Sequence, residues 1–179
     1  MALRTIVQDG DPILKKVCRP VTEFNARLAQ LIDDMKETLV DACGLGLAAP
    51  QVGVMRRVCI VVDLPPEDDG AAPEEGEEPE YRFIELVNPE IIDRQGSVGL
   101  YEGCLSFPGH NGYIKRPEQV TVRAFDRDGN EFTATRTGMT ARAICHECDH
   151  LDGVTIMELA EYFYEDQEPE EDAEEDAGE

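Results

Sequence analysis

Long apolar runs are absent from this sequence, and basic residues and histidines are scarce. No apolar run reaches the length of about 18 residues that a membrane-spanning helix needs. The first sixteen residues, Met1–Lys16, lack the apolar stretch and small-residue cleavage site of a secretory signal. We therefore expect a cytoplasmic protein with no membrane partner, in which the six cysteines stay reduced and suit metal or catalytic roles.

The shortage of bases is uneven along the chain. The sequence has 16 Lys and Arg against 39 Asp and Glu, a formal net charge of −23. Residues 67–80 contain 8 acids and residues 165–179 contain 10, with no base in either stretch. Such like-charge blocks, poor in large apolar residues, rarely pack into a core. We expect one folded domain over 1–164, interrupted by an acidic insert over 65–80 and followed by a disordered acidic tail over 165–179.

Apolar periodicity predicts two principal helices. In the segment Thr22–Ala42, apolar residues recur at three- and four-residue spacing from Leu28 to Leu39, and Gly44 is placed to end the helix. A second helix is predicted over 140–151, with Thr137 or Thr140 as its N-cap and Gly153 just beyond its end.

Strand signals lie between these helices and predict an α+β fold. The signals are short runs rich in β-branched and aromatic residues, and a Gly-containing turn joins the last two into a hairpin. They cover residues 58–62, 83–87, 120–125 and 131–135, with a break expected at Asn88-Pro89.

The strongest chemical signal is His146-Glu147-Cys148-Asp149-His150 on the predicted second helix. Residues four apart share one face of a helix, so both imidazoles can bind one metal ion while Glu147 handles protons on water beside it. A helix with two hydrogen-bonded histidines and a surface acid is the alternative. Two of only three histidines fall in this pattern, which favours a metal site.

A third ligand is needed to complete a catalytic metal site that keeps one position open for water. A metzincin would have a third histidine where Ile156 stands, and a thermolysin-like enzyme would use a glutamate from a later helix, whereas an acidic tail follows Tyr164. Cys104 in the segment Glu102–Ser106 remains as a candidate, although a cysteine taken alone is more often a small buried apolar residue.

Two other motifs have competing interpretations. The segment 44–49 fits the dinucleotide fingerprint GxGxxA, but it follows a predicted helix instead of a strand, and Pro50 stands where a helix should begin. Cys145 and Cys148 form a CxxC pair, which could be half of a structural zinc site or a redox pair, but the sequence has no second CxxC. Because both lie in the helix that carries the two histidines, we interpret them as core residues.

Three segments resemble the motifs of the peptide deformylase family. They are Gly44–Gln51, Glu102–Ser106 and His146–His150, in the family's order and with comparable spacing, within a resemblance that runs from about Ile6 to Gly153. The resemblance implies mixed, mostly antiparallel strands around a central helix that carries the HExxH motif. It also implies that 1–164 is a catalytic domain, which removes the N-formyl group from the initiator methionine of newly synthesised proteins and releases formate.

The resemblance further implies the metal ligands, which would be Cys104, His146 and His150. Members of the family are best known as Fe(2+) enzymes that also accept Zn(2+), Ni(2+) or Co(2+). A ligand set of mixed nitrogen and sulfur does not by itself select one of these ions.

Four residues receive catalytic roles from the same resemblance. Glu147 would take a proton from the attacking water and return it to the leaving amine. The side-chain amide of Gln51 and the backbone N–H of Leu105 would stabilise the oxyanion, and Gly46 would let the backbone approach the substrate closely.

The implied partners are N-formylmethionyl nascent peptides, which places the enzyme near the ribosome. Some family members dock there through a basic C-terminal helix, but the acidic tail 165–179 would be repelled by RNA phosphate, so we expect no direct nucleic-acid contact. Some members also carry a basic residue in the loop after the second motif, where this chain has His110 and Asn111 in a loop expected over 108–113.

Two alternatives stay open. A related metal hydrolase with a different acyl specificity would share all three motifs. A non-catalytic protein with a structural metal would need neither Glu147 nor Gln51, and the presence of both argues against it.

Overall fold

A computed structural model describes residues 2–64 and 82–164. The predicted acidic insert 65–80 and the predicted tail 165–179 lie outside the described residues. The elements, in chain order, are α1 (Ala26–Asp41), β1 (Gly46–Ala48), β2 (Val58–Val62), β3 (Phe83–Gln95), β4 (Val98–Cys104), β5 (Phe107–Arg116), β6 (Gln119–Phe125), β7 (Glu131–Thr137), α2 (Gly138–Leu151), α3 (Ile156–Leu159) and β8 (Tyr162–Phe163), with 3-10 turns at Pro12–Lys15 and Ala49–Val52.

The strands form two sheets. One has five strands in the order β1-β2-β3-β6-β7, and the other has three in the order β4-β5-β8. Every pairing between these strands is antiparallel, and one isolated parallel bridge joins Arg19 to Arg56. The α+β class with mostly antiparallel strands is therefore confirmed.

The five-stranded sheet separates two cores, because alternate residues of a strand face opposite sides. Strand β2 is buried along its whole length and contributes to both. Cys59 and Val61 pack with α2 residues such as Ala141 and Ile144, whereas Val58, Ile60 and Val62 pack with the apolar face of α1, which comprises Leu28, Leu31, Ile32, Met35 and Leu39. The two principal helices thus lie on opposite faces of one sheet.

Helix α1 lies where the sequence predicted a helix, but the residue that closes its C-terminal end is not the expected one. Asn25 caps the start, since its Oδ1 accepts hydrogen bonds from the backbone N–H of Arg27 at 3.0 Å and Leu28 at 3.2 Å. At the other end, Cys43 takes the left-handed conformation, with φ 51°, that Gly44 was expected to provide. Gly44 serves close packing instead, because a Cβ there would lie 2.7 Å from Leu39 Cδ1 and 2.9 Å from Leu105 Cδ1.

The break predicted at Asn88-Pro89 is wrong. Strand β3 runs without interruption from Phe83 to Gln95, and the register against β6 shifts between Val87 and Glu90. Asn88 has φ 50° and is held there by its side chain, which accepts from Val21 N at 2.8 Å and donates to Val21 O at 2.9 Å. A bulge needs no ladder N–H at every position, so it accommodates a proline inside a strand.

The loop expected over 108–113 is also wrong, because β5 passes through it and forms a hairpin with β4. Glycine lowers strand propensity, so the sequence pattern did not indicate this hairpin, which contains glycines at 99, 103, 109 and 112. One of them is required by packing, since a Cβ on Gly99 would collide with the hydroxyl of Tyr113 on the neighbouring strand.

Helix α2 begins at Gly138, slightly before its predicted start, and Thr137 is the N-cap residue. Its C-terminal turn is closed by left-handed Gly153, with bonds from Gly153 N to His150 O at 3.2 Å and from Val154 N to Asp149 O at 2.9 Å. The carbonyl of Leu151 accepts from Cys18 N at 2.8 Å. Within the described part of the chain, no helix is both long and apolar enough to span a membrane.

A half-buried charge cluster joins α1 to the sheet and gives a first prediction. Glu85 accepts from Lys36 Nζ at 2.5 Å and from Arg127 Nε at 2.8 Å. Burial raises the pKa of Glu85, but the hydrogen bonds from Arg127 and Lys36 outweigh it and lower the pKa below 4.5. Because hydrogen bonds to charged groups contribute about 2 kcal/mol, Glu85→Gln should lower the free energy of unfolding by about that amount at pH 7, measured by urea denaturation.

The pH dependence of this loss is the sharper test. The folded-state pKa is the lower one, so the stabilisation is complete above the unfolded pKa and is lost as the pH falls through the folded value. The difference between wild type and Glu85→Gln should therefore shrink in acid. Glu90→Gln, which removes an exposed partner of Arg123, is the control and should cost clearly less. A difference that is the same at pH 7 and in acid would contradict this assignment.

Candidate active site and metal centre

The three segments singled out from the sequence meet at one cavity of about 360 Å³. The first segment forms β1 and the following 3-10 turn, the second forms the end of β4 and the turn to β5, and the third lies on α2. Among the residues predicted for the site, all but one line this cavity: Gly46, Gln51, Cys104, Leu105, His146 and Glu147. His150 lies one helical turn beyond His146 and is buried.

Cys104, His146 and His150 each offer one ligand atom, and these atoms lie within 4.8 Å of one another. The Sγ of Cys104 is 3.3 Å from Nε2 of His150. The histidines come together because they are four residues apart on α2, whereas Cys104 is delivered by the β4–β5 hairpin. One cysteine sulfur and two imidazole nitrogens form a donor set that suits a divalent transition metal, and three such ligands would leave a position for water.

The pKa values of the two histidines are shifted in opposite directions. Burial, together with the charges of His146 and Arg116, lowers the pKa of His150 well below its ordinary value, which favours the neutral imidazole that binds metals. Burial also acts to lower the pKa of His146, but hydrogen bonds with Cys104 and Glu102 raise it to about 10. Metal binding at His146 would therefore release a proton.

Gln51 ties the first segment to the second and is only 1% exposed. Its Oε1 accepts from Ala48 N at 2.8 Å, so the side chain folds back over its own turn. Its Nε2 donates to Ser106 Oγ at 3.2 Å and lies 3.6 Å from Cys104 Sγ. The amide group is therefore fixed beside the Cys/His/His cluster.

Glu147 lines the cavity and is 3% exposed. Its Oε2 has no hydrogen-bond partner among the described residues, and burial raises the pKa of this carboxyl to about 7. Room for it comes from Gly46, because a Cβ there would lie 2.8 Å from both Cγ and Cδ of Glu147 and closer still to Oε1. Gly46 thus makes space for a carboxylate, a contact that the sequence did not indicate.

Sequence reasoning gave no role to a buried charge network behind the cluster. Glu102 accepts from Nε and Nη2 of Arg116, both at 2.9 Å, from Arg142 at 2.5 Å and from His146 Nδ1 at 3.1 Å. Arg116 also bonds Asp149. Burial raises the pKa of Glu102, but the bonds with His146 and Arg116 lower it to about 2. One signal was available, because Arg142 precedes His146 by four residues and shares its face of the helix.

The structure also places the CxxC cysteines and the third histidine. Cys145 and Cys148 are buried in the core between α2 and the five-stranded sheet, as expected. His110 is exposed on β5, where its ring packs edge-on against Phe163 at a centroid distance of 6.1 Å, and it lines the cavity.

Together, a helix-borne HExxH motif, a third candidate ligand from another element and a buried carboxylate at a cavity define the class of mononuclear metallohydrolases. The family model described as polypeptide deformylase matches residues 3–163. The chain belongs to this family. Its activity is the hydrolytic removal of the N-formyl group from the methionine of newly made proteins.

Curated relatives and solved structures agree with this assignment. The peptide deformylase of Caldicellulosiruptor bescii is 46% identical over 168 residues, which cover 94% of this chain and 92% of the relative. That of Agathobacter rectalis is 47% identical over 161 residues, or 90% and 92%. The Met-Ala-Ser-bound class I type b enzyme of Acinetobacter baumannii is 33% identical with a TM-score of 0.76, over 88% of this chain and 98% of that one.

Proposed function

We propose that residues 1–164 act as the catalytic domain and hold one divalent metal ion through Cys104, His146 and His150, with Fe(2+) as the native ion. The observation that carries this proposal is the convergence of the buried carboxylate of Glu147 and the fixed amide of Gln51 on the Cys/His/His cluster. A purely structural metal site would need neither group.

Cys104, His146 and His150 would hold the ion, which when bound would supply Lewis acidity that lowers the pKa of water and polarises a carbonyl. Glu147 accepts the proton at a carboxylate oxygen as the water oxygen adds to the formyl carbon. It then donates this proton to the amine nitrogen, the C–N bond breaks, and formate and a free methionine N-terminus are released. A carboxyl with a pKa of about 7 is suited to both transfers, since it exchanges protons near neutral pH.

Two donors stabilise the oxyanion that forms during this addition. Gln51 Nε2 is one, and its position is fixed beforehand by the bonds to Ala48 and Ser106. The backbone N–H of Leu105 is the other, in the turn directly after Cys104. Each preorganised donor contributes about 3 kcal/mol of barrier lowering.

The methionine side chain occupies the apolar part of the cavity. Leu45, Leu105, Phe107 and Met139 line it, and a formyl group is small enough to reach the cluster beyond them. A Met-Ala-Ser-bound structure of the similar Acinetobacter baumannii enzyme supports a peptide that begins with methionine as the ligand class. The substrates are N-formylmethionyl nascent chains, which the enzyme encounters near the ribosome. The acidic residues 165–179 have no docking role there, because RNA phosphate would repel them.

Formate release from formyl-Met-Ala-Ser and acetate release from acetyl-Met-Ala-Ser test the acyl specificity. The enzyme is prepared without oxygen and loaded with Fe(2+) or Zn(2+). Because the acetyl group adds a methyl at the reacting carbon, we expect the formyl peptide to react on the order of 10²-fold faster. Equal rates would indicate a hydrolase of broader acyl specificity, and a zinc form as active as the iron form would contradict the choice of iron.

A further inference from the structure

Arg142 occupies an unusual position for an arginine, because it is 4% exposed and lies on the buried face of α2. Its Nη1 donates to Glu102 Oε1 at 2.5 Å and to the carbonyl of Ile114 at 3.1 Å. Its Nη2 donates to the carbonyl of Val98 at 2.7 Å. One guanidinium therefore joins the helix to both strands of the β4–β5 hairpin.

Two of these acceptors, Val98 and Glu102, lie on β4, the strand that ends with Cys104. Val98 is the first residue of β4, Glu102 lies near its end, and Cys104 is the last. Ile114 is on β5 and pairs with Leu100 of β4. The guanidinium thus fixes both ends of β4 against the helix that carries His146 and His150.

Arg142 also reaches a histidine through one intermediate. Glu102 receives Arg142 on Oε1 and His146 Nδ1 on Oε2, and Arg116 holds the same carboxylate through both oxygens. Asp149 pairs with Arg116, so two guanidinium groups face two carboxylates in this network. The orientation of the His146 ring is therefore coupled to the position of Arg142.

We propose that Arg142 is a positioning residue, which sets the placement of Cys104 relative to His146 and His150 and thereby the metal affinity of this centre. The proposal rests on the metal-binding role given above to these three residues. A merely structural role for Arg142 makes a different prediction. It requires that loss of the side chain lowers stability and leaves the metal centre as it was.

The experiment compares Arg142→Met and Arg142→Lys with Arg136→Met. The control removes an arginine that makes two hydrogen bonds to the carboxylate of Asp63 but lies on β7 and does not line the cavity. Each protein is titrated with Co(2+), whose thiolate charge-transfer and ligand-field absorption report the ligands and their geometry. Affinity is measured by competition with a chelator, and thermal unfolding of the metal-free proteins is followed separately.

We expect Arg142→Met to weaken Co(2+) binding about 10- to 100-fold and to change the ligand-field bands. Lysine keeps a charge beside Glu102 but cannot bridge both carbonyls, so Arg142→Lys should fall between methionine and wild type. The Arg136→Met protein should lose stability yet keep the wild-type spectrum and affinity.

Wild-type affinity and spectrum in a destabilised Arg142→Met protein would overturn the proposal. Should the methionine variant fail to fold, the lysine variant decides by the same two measurements, since unchanged Co(2+) binding there also overturns it. A wild-type protein whose Co(2+) spectrum lacks thiolate charge transfer would instead defeat the proposed metal site, so the two failures are distinguishable.

Discussion

Glu147→Gln should lower kcat for formyl-Met-Ala-Ser by 10²- to 10⁴-fold, the range that general acid–base catalysis contributes. Glutamine has nearly the same shape as glutamate, so the cavity and the cluster keep their geometry. It cannot accept a proton from water or return one to the amine. The carboxylate lies in the cavity beside the cluster, and none of the described residues bonds its Oε2.

The measurement pairs steady-state kinetics with metal analysis by plasma emission spectroscopy. The glutamine variant should retain one metal ion per chain, because the proposed ligands are untouched. Glu161→Gln, which removes an exposed carboxylate paired with Lys115, is the control and should keep wild-type turnover. A fully active Glu147→Gln protein would exclude the proton-transfer role, and an inactive one that has lost its metal would assign the residue to metal retention.

Gly46→Ala should lower kcat on the order of 10²-fold, although the substitution adds one methyl group outside the cluster. The new Cβ would lie 2.8 Å from Cγ and Cδ of Glu147, far inside van der Waals contact. Helix α2 is buried and cannot withdraw, so the carboxylate must rotate away from its position. Displacing a catalytic group by about 1 Å is enough for a loss of this size.

A double variant makes this prediction specific. If Gly46→Ala acts only through Glu147, then adding it to Glu147→Gln should cause little further loss, because effects carried by one group do not add. Gly103→Ala is the matched control in the cavity wall, where a Cβ would meet only Asn111 Oδ1 at 3.1 Å, and it should retain most activity. Losses that multiply in the double variant would show that Gly46 acts on the substrate or on the backbone instead.

The sequence pattern predicted those elements that are determined by residues close together in the chain. Strand β2 was predicted at Val58–Val62 and has those bounds, because an unbroken β-branched run buried on both faces leaves no other choice. The β4–β5 hairpin was not predicted, since its glycines are explained only by partners across strands, such as Tyr113 over Gly99. The continuity of β3 through Asn88 likewise depends on Val21, which is 67 residues distant in sequence.

The candidate site, too, was predicted by the sequence pattern only where residues close together in the chain determine it. Spacing alone predicted that His146 and His150 share a face, and the family resemblance was needed for Cys104 and Gln51. The bonds of Glu102 to Arg116 and to Arg142 join residues 14 and 40 positions apart, so no local pattern could pair them.

His150 is the penultimate residue of α2, and helices ordinarily open from their ends. Here the last carbonyls of α2 are bonded to Gly153, Val154 and Cys18, so the final turn cannot fray alone. Exchange of its amide hydrogens with solvent then requires a larger cooperative unit to open, including the segment around Cys18. The arrangement around His150 should accordingly persist for as long as that unit stays closed, because the last turn of α2 does not open separately.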